Sequence, residues 1–131
     1  MKLKKFLEEH NIEAMLISSK YSLRYFTGFT GTTGIALAFA EKRFFFTDFR
    51  YVTQAKKEVE PNGFTVVKVE RGAVDALAEY IKNSGIKKLG IEDKYVTLAE
   101  YVVYKEKFEG IGFVTLGEAL DKLRMIKTEE E

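Results

Sequence analysis

A chain of 131 residues that is 46% hydrophobic, 31% charged and 14% aromatic has the composition of one folded domain with a real core, not of a disordered tail. Lys plus Arg is 21 and Asp plus Glu is 20, which removes any electrostatic reason to expect nucleic acid or an anionic membrane as a partner. Without cysteine there is neither a disulfide framework nor thiolate chemistry, and no apolar run approaches a membrane span.

The N-terminal MKLKKFLEEH mixes charge with apolar residues and lacks a signal-peptide core, so a soluble cytoplasmic protein is the expectation. Leu3, Phe6, Leu7 and His10 make the i, i+3, i+4, i+7 stripe of an amphipathic helix. AMLIS (14–18) suits a short buried strand, and Ser19 is placed to cap a helix running through Tyr25. GIALAFA (34–40) and RFFFTD (43–48) read as two strands joined by a two-residue turn at Glu41-Lys42. A helix is expected from Phe49 to Val59, closed by Pro61-Asn62-Gly63, and FTVVKVE (64–70) is a strand. Val74, Leu77, Ala78 and Ile81 form a second helical stripe that Gly85 stops. Strands at 87–92 and 112–117 flank a helix at 97–108, and Leu116, Ala119, Leu120 and Leu123 support a last helix. This alternation predicts an α/β domain, and the tight hairpin makes its sheet mixed. Lys and Glu are abundant while Asn, Gln and Cys are scarce, a bias typical of thermophile proteins.

The chain ends in KTEEE, where Thr128 followed by Glu131 has the capping-box spacing of a helix start. A frayed acidic end is the plain alternative.

The most pointed stretch is YFTGFTGTTG (25–34), in which Gly28, Gly31 and Gly34 are spaced three apart. It lacks the GxGxxG spacing and has no Lys-Ser/Thr after its last glycine, and it leads from helix into strand, the reverse of a phosphate loop. Physically, the glycines predict a tight connection at positive φ. Phe29, Thr30, Thr32 and Thr33 are more than a turn needs, and an exposed aromatic on such a loop is a candidate contact for a ligand or partner.

Other chemistry is thin. His10 is the only histidine, and one His with no Cys cannot build a zinc site. Asp48 is placed to cap the helix that follows it, and Arg50 to pair with Asp48 or another acid. The pairs Glu58/Glu60 and Glu92/Asp93 read as solvated carboxylates, not metal ligands. KRFFFTDFRY (42–51) fails the RNA-binding RNP pattern and fits a strand buried on both faces. No catalytic residue and no metal ligand is assigned to the chain.

Three stretches together, SLRYFTGFTGTTG, RFFFTDFRYVTQAKKE and LRMIKTEEE, resemble the N-terminal domain of the creatinase, prolidase and aminopeptidase P family. The family's Y-x-TGF-x-G loop, TD-x-RY-x-x-QA junction and R-x-IK-x-x-EE junction fall at Tyr25–Gly31, Thr47–Ala55 and Leu123–Glu130, in the right order. The resemblance covers essentially the whole chain. It implies a single α/β domain over residues 1–131, with a mixed sheet flanked by helices. In the family this domain precedes a catalytic "pita-bread" domain. There two divalent metals, manganese or cobalt, activate the water that attacks the bond before proline. Those ligands are expected beyond Glu131, so this chain alone is expected to hydrolyse nothing.

The resemblance further implies a homodimer whose loop is lent to the neighbouring subunit's site, with Phe29, Thr30, Gly31 and Thr32 nearest a proline-containing peptide. Because the loop carries only Phe and Thr, it suggests a preference for uncharged residues ahead of proline. Proline dipeptidase is favoured over aminopeptidase P. A stand-alone protein-binding or assembly module is the alternative, and a nucleotide-binding domain resting on the glycine loop is the weakest reading.

Overall fold

The structure is a computed structural model that describes residues 2–31, 33–70 and 72–122. The elements run α1 (Lys2–Glu9), β1 (Ala14–Ile17), α2 (Lys20–Thr27), β2 (Ile35–Phe39), β3 (Arg43–Thr47) and α3 (Val52–Val59). After a 3-10 turn at Glu60–Asn62 come β4 (Thr65–Lys68), α4 (Val74–Ser84), β5 (Lys88–Ile91), α5 (Leu98–Lys107) and β6 (Gly112–Thr115). A last helix, α6, is described over 117–122.

The six strands form one sheet in the order β4-β3-β2-β1-β5-β6. β2 is antiparallel to both β1 and β3, whereas the β1–β5, β3–β4 and β5–β6 pairs are parallel. The sheet is therefore mixed, as the sequence predicts, and only β2 runs against the rest. That topology brings the carboxyl ends of β1, β3 and β5 to the same end of the sheet as the entry to β2. The glycine loop, which feeds β2, sits at that end.

Strand alternation sorts the core into two layers. Met15, Ile17 and Phe45 face a cluster that holds Leu3, Phe6 and Leu7 of α1, Ala55 and Val59 of α3, and Leu116 and Leu120 around α6. Ala14, Leu16, Leu37 and Phe46 face the other cluster, with Leu77 and Ile81 of α4 and Tyr104 and Phe108 of α5. The Phe44-Phe45-Phe46 run is a strand packed on both faces, with Phe45 and Phe46 at 0% and 1% exposure.

Local signals set most of the boundaries. The Ser19 hydroxyl accepts from the Ser22 amide at 3.1 Å to cap α2, which Gly28 closes in the left-handed conformation. Thr97 and Glu100 form a full capping box on α5, a signal the sequence reading passed over. His10 lies one residue past α1, where its Nδ1 donates to the Phe6 carbonyl at 2.9 Å and its ring packs on Phe6.

Two local expectations need correction. The β2–β3 register pairs Ala38 with Arg43, and the Phe39 amide donates to the Lys42 carbonyl, so the turn residues are Ala40 and Glu41. Asp48 does not cap α3, whose N-cap is Tyr51 with no side-chain capping hydrogen bond to the helix. Its carboxylate closes a local turn on the Arg50 amide (2.9 Å) and pairs with that guanidinium (2.8 Å), so α3 starts at Val52 instead of Phe49. Arg50 holds the Asp48 carboxyl below the ordinary carboxylate range. The capping-box reading of Thr128–Glu131 and the junction at Leu123–Glu130 lie outside the described residues.

Candidate functional site

The three glycines have different reasons for being there. Gly28 has φ +85°, and its amide donates to the Arg24 carbonyl to end α2. Gly31 and Gly34 do not share that backbone conformation; they are places of close approach. A Cβ on Gly31 would stand 2.5 Å from the Phe29 ring, and one on Gly34 would run into the Phe45 ring. The loop therefore folds over its own aromatic.

That aromatic is not exposed. Phe29 is 2% accessible and packs against Phe45 with ring centroids 4.6 Å apart and against Tyr51 at 6.2 Å. The expectation of an exposed Phe29 that reaches a ligand is thus corrected: its neighbours Gly28 and Gly31 let the chain tuck the ring inward, where burial favours it. The exposed aromatics at this end of the sheet include Phe49 (73%), Tyr21 (55%) and Tyr95 (39%). Thr30 is exposed, Gly31 is half-buried, and Thr32 lies outside the described residues.

Thr30 is held from α3. The Glu58 carboxylate accepts from the Thr30 amide through Oε1 and from the Thr30 hydroxyl through Oε2, both at 2.8 Å. Gln54, one turn earlier, donates through Nε2 to the Thr30 hydroxyl at 3.1 Å. Asn62 donates to the Thr27 carbonyl at 2.9 Å, and the Thr47 hydroxyl donates to the Thr33 carbonyl at 2.7 Å. Thr27, Thr30 and Thr33 are thus each anchored from outside the loop. The reading of Glu58 as a solvated carboxylate is corrected accordingly. Gln54 and Glu58 share a helix face at i, i+4, which the sequence does show; their partner, 24 and 28 residues away, it does not.

The hydrogen bond from the Thr30 amide, with help from the Thr30 hydroxyl, Gln54 and the nearby Arg24 charge, holds the Glu58 carboxyl below its ordinary value of 4.5, against the opposing effect of burial. A carboxyl depressed in the folded state stabilises above its unfolded pKa and loses that contribution as pH falls through the folded one. The grip on Thr30 should therefore be complete above about pH 4.5 and lost progressively as the pH falls through the lower value the carboxyl takes in the folded chain. Following the Thr30 amide resonance through an acid titration checks this, and a Thr30 signal that does not move in the parent chain would count against the grip. Glu58→Gln should remove the acid-dependent movement.

A further correction concerns Glu92, at the carboxyl end of β5. It is fully buried, and its Oε2 accepts from the Ser19 amide at 2.7 Å and from the Ser18 amide at 3.3 Å, at the end of β1. Its Oε1 is buried without a hydrogen-bond partner among the described residues. Asp93 beside it accepts from the Gly117 amide at 2.8 Å, which ties the start of α6 to the same strand end. Neither is a free, solvated acid. Glu92 positions α2, and α2 carries the glycine loop.

Among the described residues no three His, Asp or Glu side chains converge to hold a metal ion, and no helix is long and apolar enough to cross a membrane. The carboxylates of this end are engaged with backbone amides, so they do not fit a metal centre, and no chemical step is assigned to one here. What the arrangement offers is a shaped, anchored loop on a mixed-sheet scaffold.

A six-stranded mixed sheet flanked by helices, with a glycine loop held at the strand ends, defines a small α/β domain. Residues 1–126 match the Creatinase/Prolidase N-terminal domain, and the chain belongs to that family. It is similar to the "Uncharacterized peptidase YqhT" of Bacillus subtilis (strain 168), with 37% identity over 130 residues that cover 99% of this chain and 36% of that protein. Its fold is similar to that of an Xaa-Pro dipeptidase from Bacillus anthracis, with a TM-score of 0.85 and 34% identity over 94% of this chain and 34% of the other. It also resembles the N-terminal domain of the cytoplasmic peptidase PepQ from Mycobacterium tuberculosis H37Rv, with a TM-score of 0.76 and 31% identity over 88% of this chain and 92% of that domain. The chain thus spans only about a third of the length of YqhT and of the B. anthracis protein.

Proposed function

We propose that this chain is the N-terminal, non-catalytic domain of a longer, metal-dependent Xaa-Pro peptidase, a proline dipeptidase ahead of an aminopeptidase P. The domain would span residues 1–131 and act in the cytoplasm as part of a homodimer, presenting its glycine loop to the partner subunit's substrate site. The observation that carries the reading is the grip of Glu58 and Gln54 on Thr30: an exposed residue on a glycine-hinged loop is fixed by three hydrogen bonds. Ordering an exposed loop in advance cuts the entropic penalty of binding what it meets. Family membership and the likeness to an Xaa-Pro dipeptidase point the same way.

In this reading Thr30, Gly31 and Thr32 lie nearest the proline-containing peptide, and Phe29 supports them from beneath. Two divalent metals, manganese or cobalt, would be held by Asp, His and Glu ligands of the catalytic domain. When bound they supply the activated water, and this chain supplies the wall that shapes the substrate.

The test is to read the gene beyond the codon for Glu131 and assay its full product with manganese on Xaa-Pro dipeptides and longer Xaa-Pro peptides. Hydrolysis by the full product and none by residues 1–131 is the expected result. A frame that stops at once, with no cleavage, would overturn the reading in favour of a stand-alone binding module.

A further inference from the structure

Asn62-Gly63 is the one Asn-Gly step in the chain, and it sits where the glycine loop is tied to the rest of the fold. Asparagine is a thermolabile residue, and a following glycine makes it most so, because no side chain shields the next backbone nitrogen. The other asparagines, Asn11 and Asn83, precede Ile12 and Ser84. Asn62 and Gly63 are both exposed, so water reaches them.

The Asn62 side chain is a latch. Its Nδ2 donates to the Thr27 carbonyl at 2.9 Å and to the Glu58 carbonyl at 3.3 Å, joining the end of α2 to the end of α3. It is seated so closely that a Cβ on Gly28 would stand 2.8 Å from it. Gly63 closes the 3-10 turn at φ +87°, and its amide donates to the Glu60 carbonyl at 3.0 Å. Bringing the Gly63 nitrogen against the Asn62 Cγ requires these bonds to let go. The turn is three residues long, exposed and without a buried side chain, the kind of segment that opens at little free energy.

We infer that Asn62 is a site of spontaneous deamidation, slowed but not abolished by the fold, and that its conversion unlatches the glycine loop. The Gly63 nitrogen attacks the Asn62 Cγ and an N–C bond forms. The Cγ–Nδ2 bond breaks, and ammonia leaves with the proton of the Gly63 amide. Water then opens the succinimide ring at either carbonyl, and the Gly63 nitrogen recovers a proton. Attack at Cγ gives aspartate, and attack at the main-chain carbonyl carbon gives isoaspartate. Neither product keeps the latch. An ionised carboxylate has no hydrogen to give, so it would set negative oxygen against the Thr27 and Glu58 carbonyls, in a turn that already holds Glu60. Isoaspartate also lengthens the main chain by a methylene just ahead of Phe64, which is 2% exposed. The loss of ammonia makes the release one-way, and it does not depend on what the loop contacts.

The experiment is to incubate the 131-residue chain in warm, mildly alkaline buffer, with the same chain in urea alongside. Peptide mass mapping follows each asparagine, and NMR follows the loop amides. Asn62 should gain the mass of OH over NH2 before Asn11 or Asn83 does, and more slowly in the folded chain than in urea. New amide peaks for Gly28 and Thr30 should grow in step with that gain, with amide exchange there about tenfold faster than in the fresh chain. Asn62→Asp should reproduce the peaks of the aspartate form, and where that variant does not fold the aged chain itself carries the test. Conversion of Asn11 or Asn83 first, or an Asn62 that stays intact while its urea control converts, would overturn the site. Conversion that leaves the Gly28 and Thr30 amides unmoved would overturn the latch.

Discussion

Phe29→Ala should cost about 3–5 kcal/mol of folding stability, the range for emptying a buried aromatic site. For a domain of this size that corresponds to a drop in melting temperature of roughly 10–20 °C. The argument rests on where the ring sits. Phe29 is 2% exposed, in contact with Phe45 and Tyr51, and directly beneath Gly31. Truncation would leave a void bounded by a strand on one side and the loop backbone on the other, and only the loop can collapse into it. Phe29→Leu keeps most of the volume and should cost less than half as much. Thermal or denaturant unfolding of the parent and both variants checks the order. A Phe29→Ala chain within 1 kcal/mol of the parent would mean the ring is not part of the core. The consequence reaches function. In the longer peptidase proposed above, a change of substrate preference on Phe29→Ala would report a collapsed loop and not a lost substrate contact. The residue for testing direct contact is Thr30, whose truncation removes no core volume.

The sequence was informative wherever one stretch of chain decides its own structure. Ser19 and Gly28 bracket α2 because a cap and a left-handed glycine act within one turn. The double-sided burial of Phe44–Phe46 follows from three aromatics in a row in a strand. The α/β class and the mixed sheet follow from the order of helical and strand patterns. It was uninformative where the decisive partner is distant in the chain. Glu58 meets Thr30 across 28 residues and Glu92 meets Ser19 across 73, so both carboxylates looked solvated when judged by their neighbours. The burial of Phe29 is hidden in the sequence for a related reason. Glycines on either side of an aromatic suggest a hinge presenting it outward, whereas the same glycines let the backbone pass close over a ring turned inward. Asp48 failed differently, since two local partners competed for it and the Arg50 amide and guanidinium outbid the first turn of α3.

Glu92→Ala is the second large effect, and it should cost about 3–5 kcal/mol. In the parent, the Glu92 carboxyl is the acceptor for the Ser18 and Ser19 amides, and Ser19 is itself 6% exposed. Alanine leaves the buried Ser19 amide and the half-buried Ser18 amide without that partner, at about 1–3 kcal/mol for the former and less for the latter, and opens a cavity besides. Glu92→Gln separates acceptor from charge. Its amide oxygen can replace Oε2, but its NH2 group then occupies the place of Oε1, which has no partner among the described residues. Gln is therefore expected to lie between Glu and Ala, at about 1–3 kcal/mol. The damage should also be local before it is global. Because Glu92 joins the end of β5 to the start of α2, amide exchange at Ser19, Ser22 and Leu23 should speed up under native conditions by more than at α4, which Glu92 does not hold. Uniform acceleration across the chain would mean that Glu92 supports the fold as a whole and has no special hold on α2. Selective loosening would make this buried acid the remote support of the loop: β5 fixes α2 through Glu92, α2 ends at Gly28, and α3 grips Thr30 through Glu58. The loop is thus shaped by its own glycines and Phe29 and held by carboxyl groups on other elements, so its exposed positions are left open to vary with what it contacts.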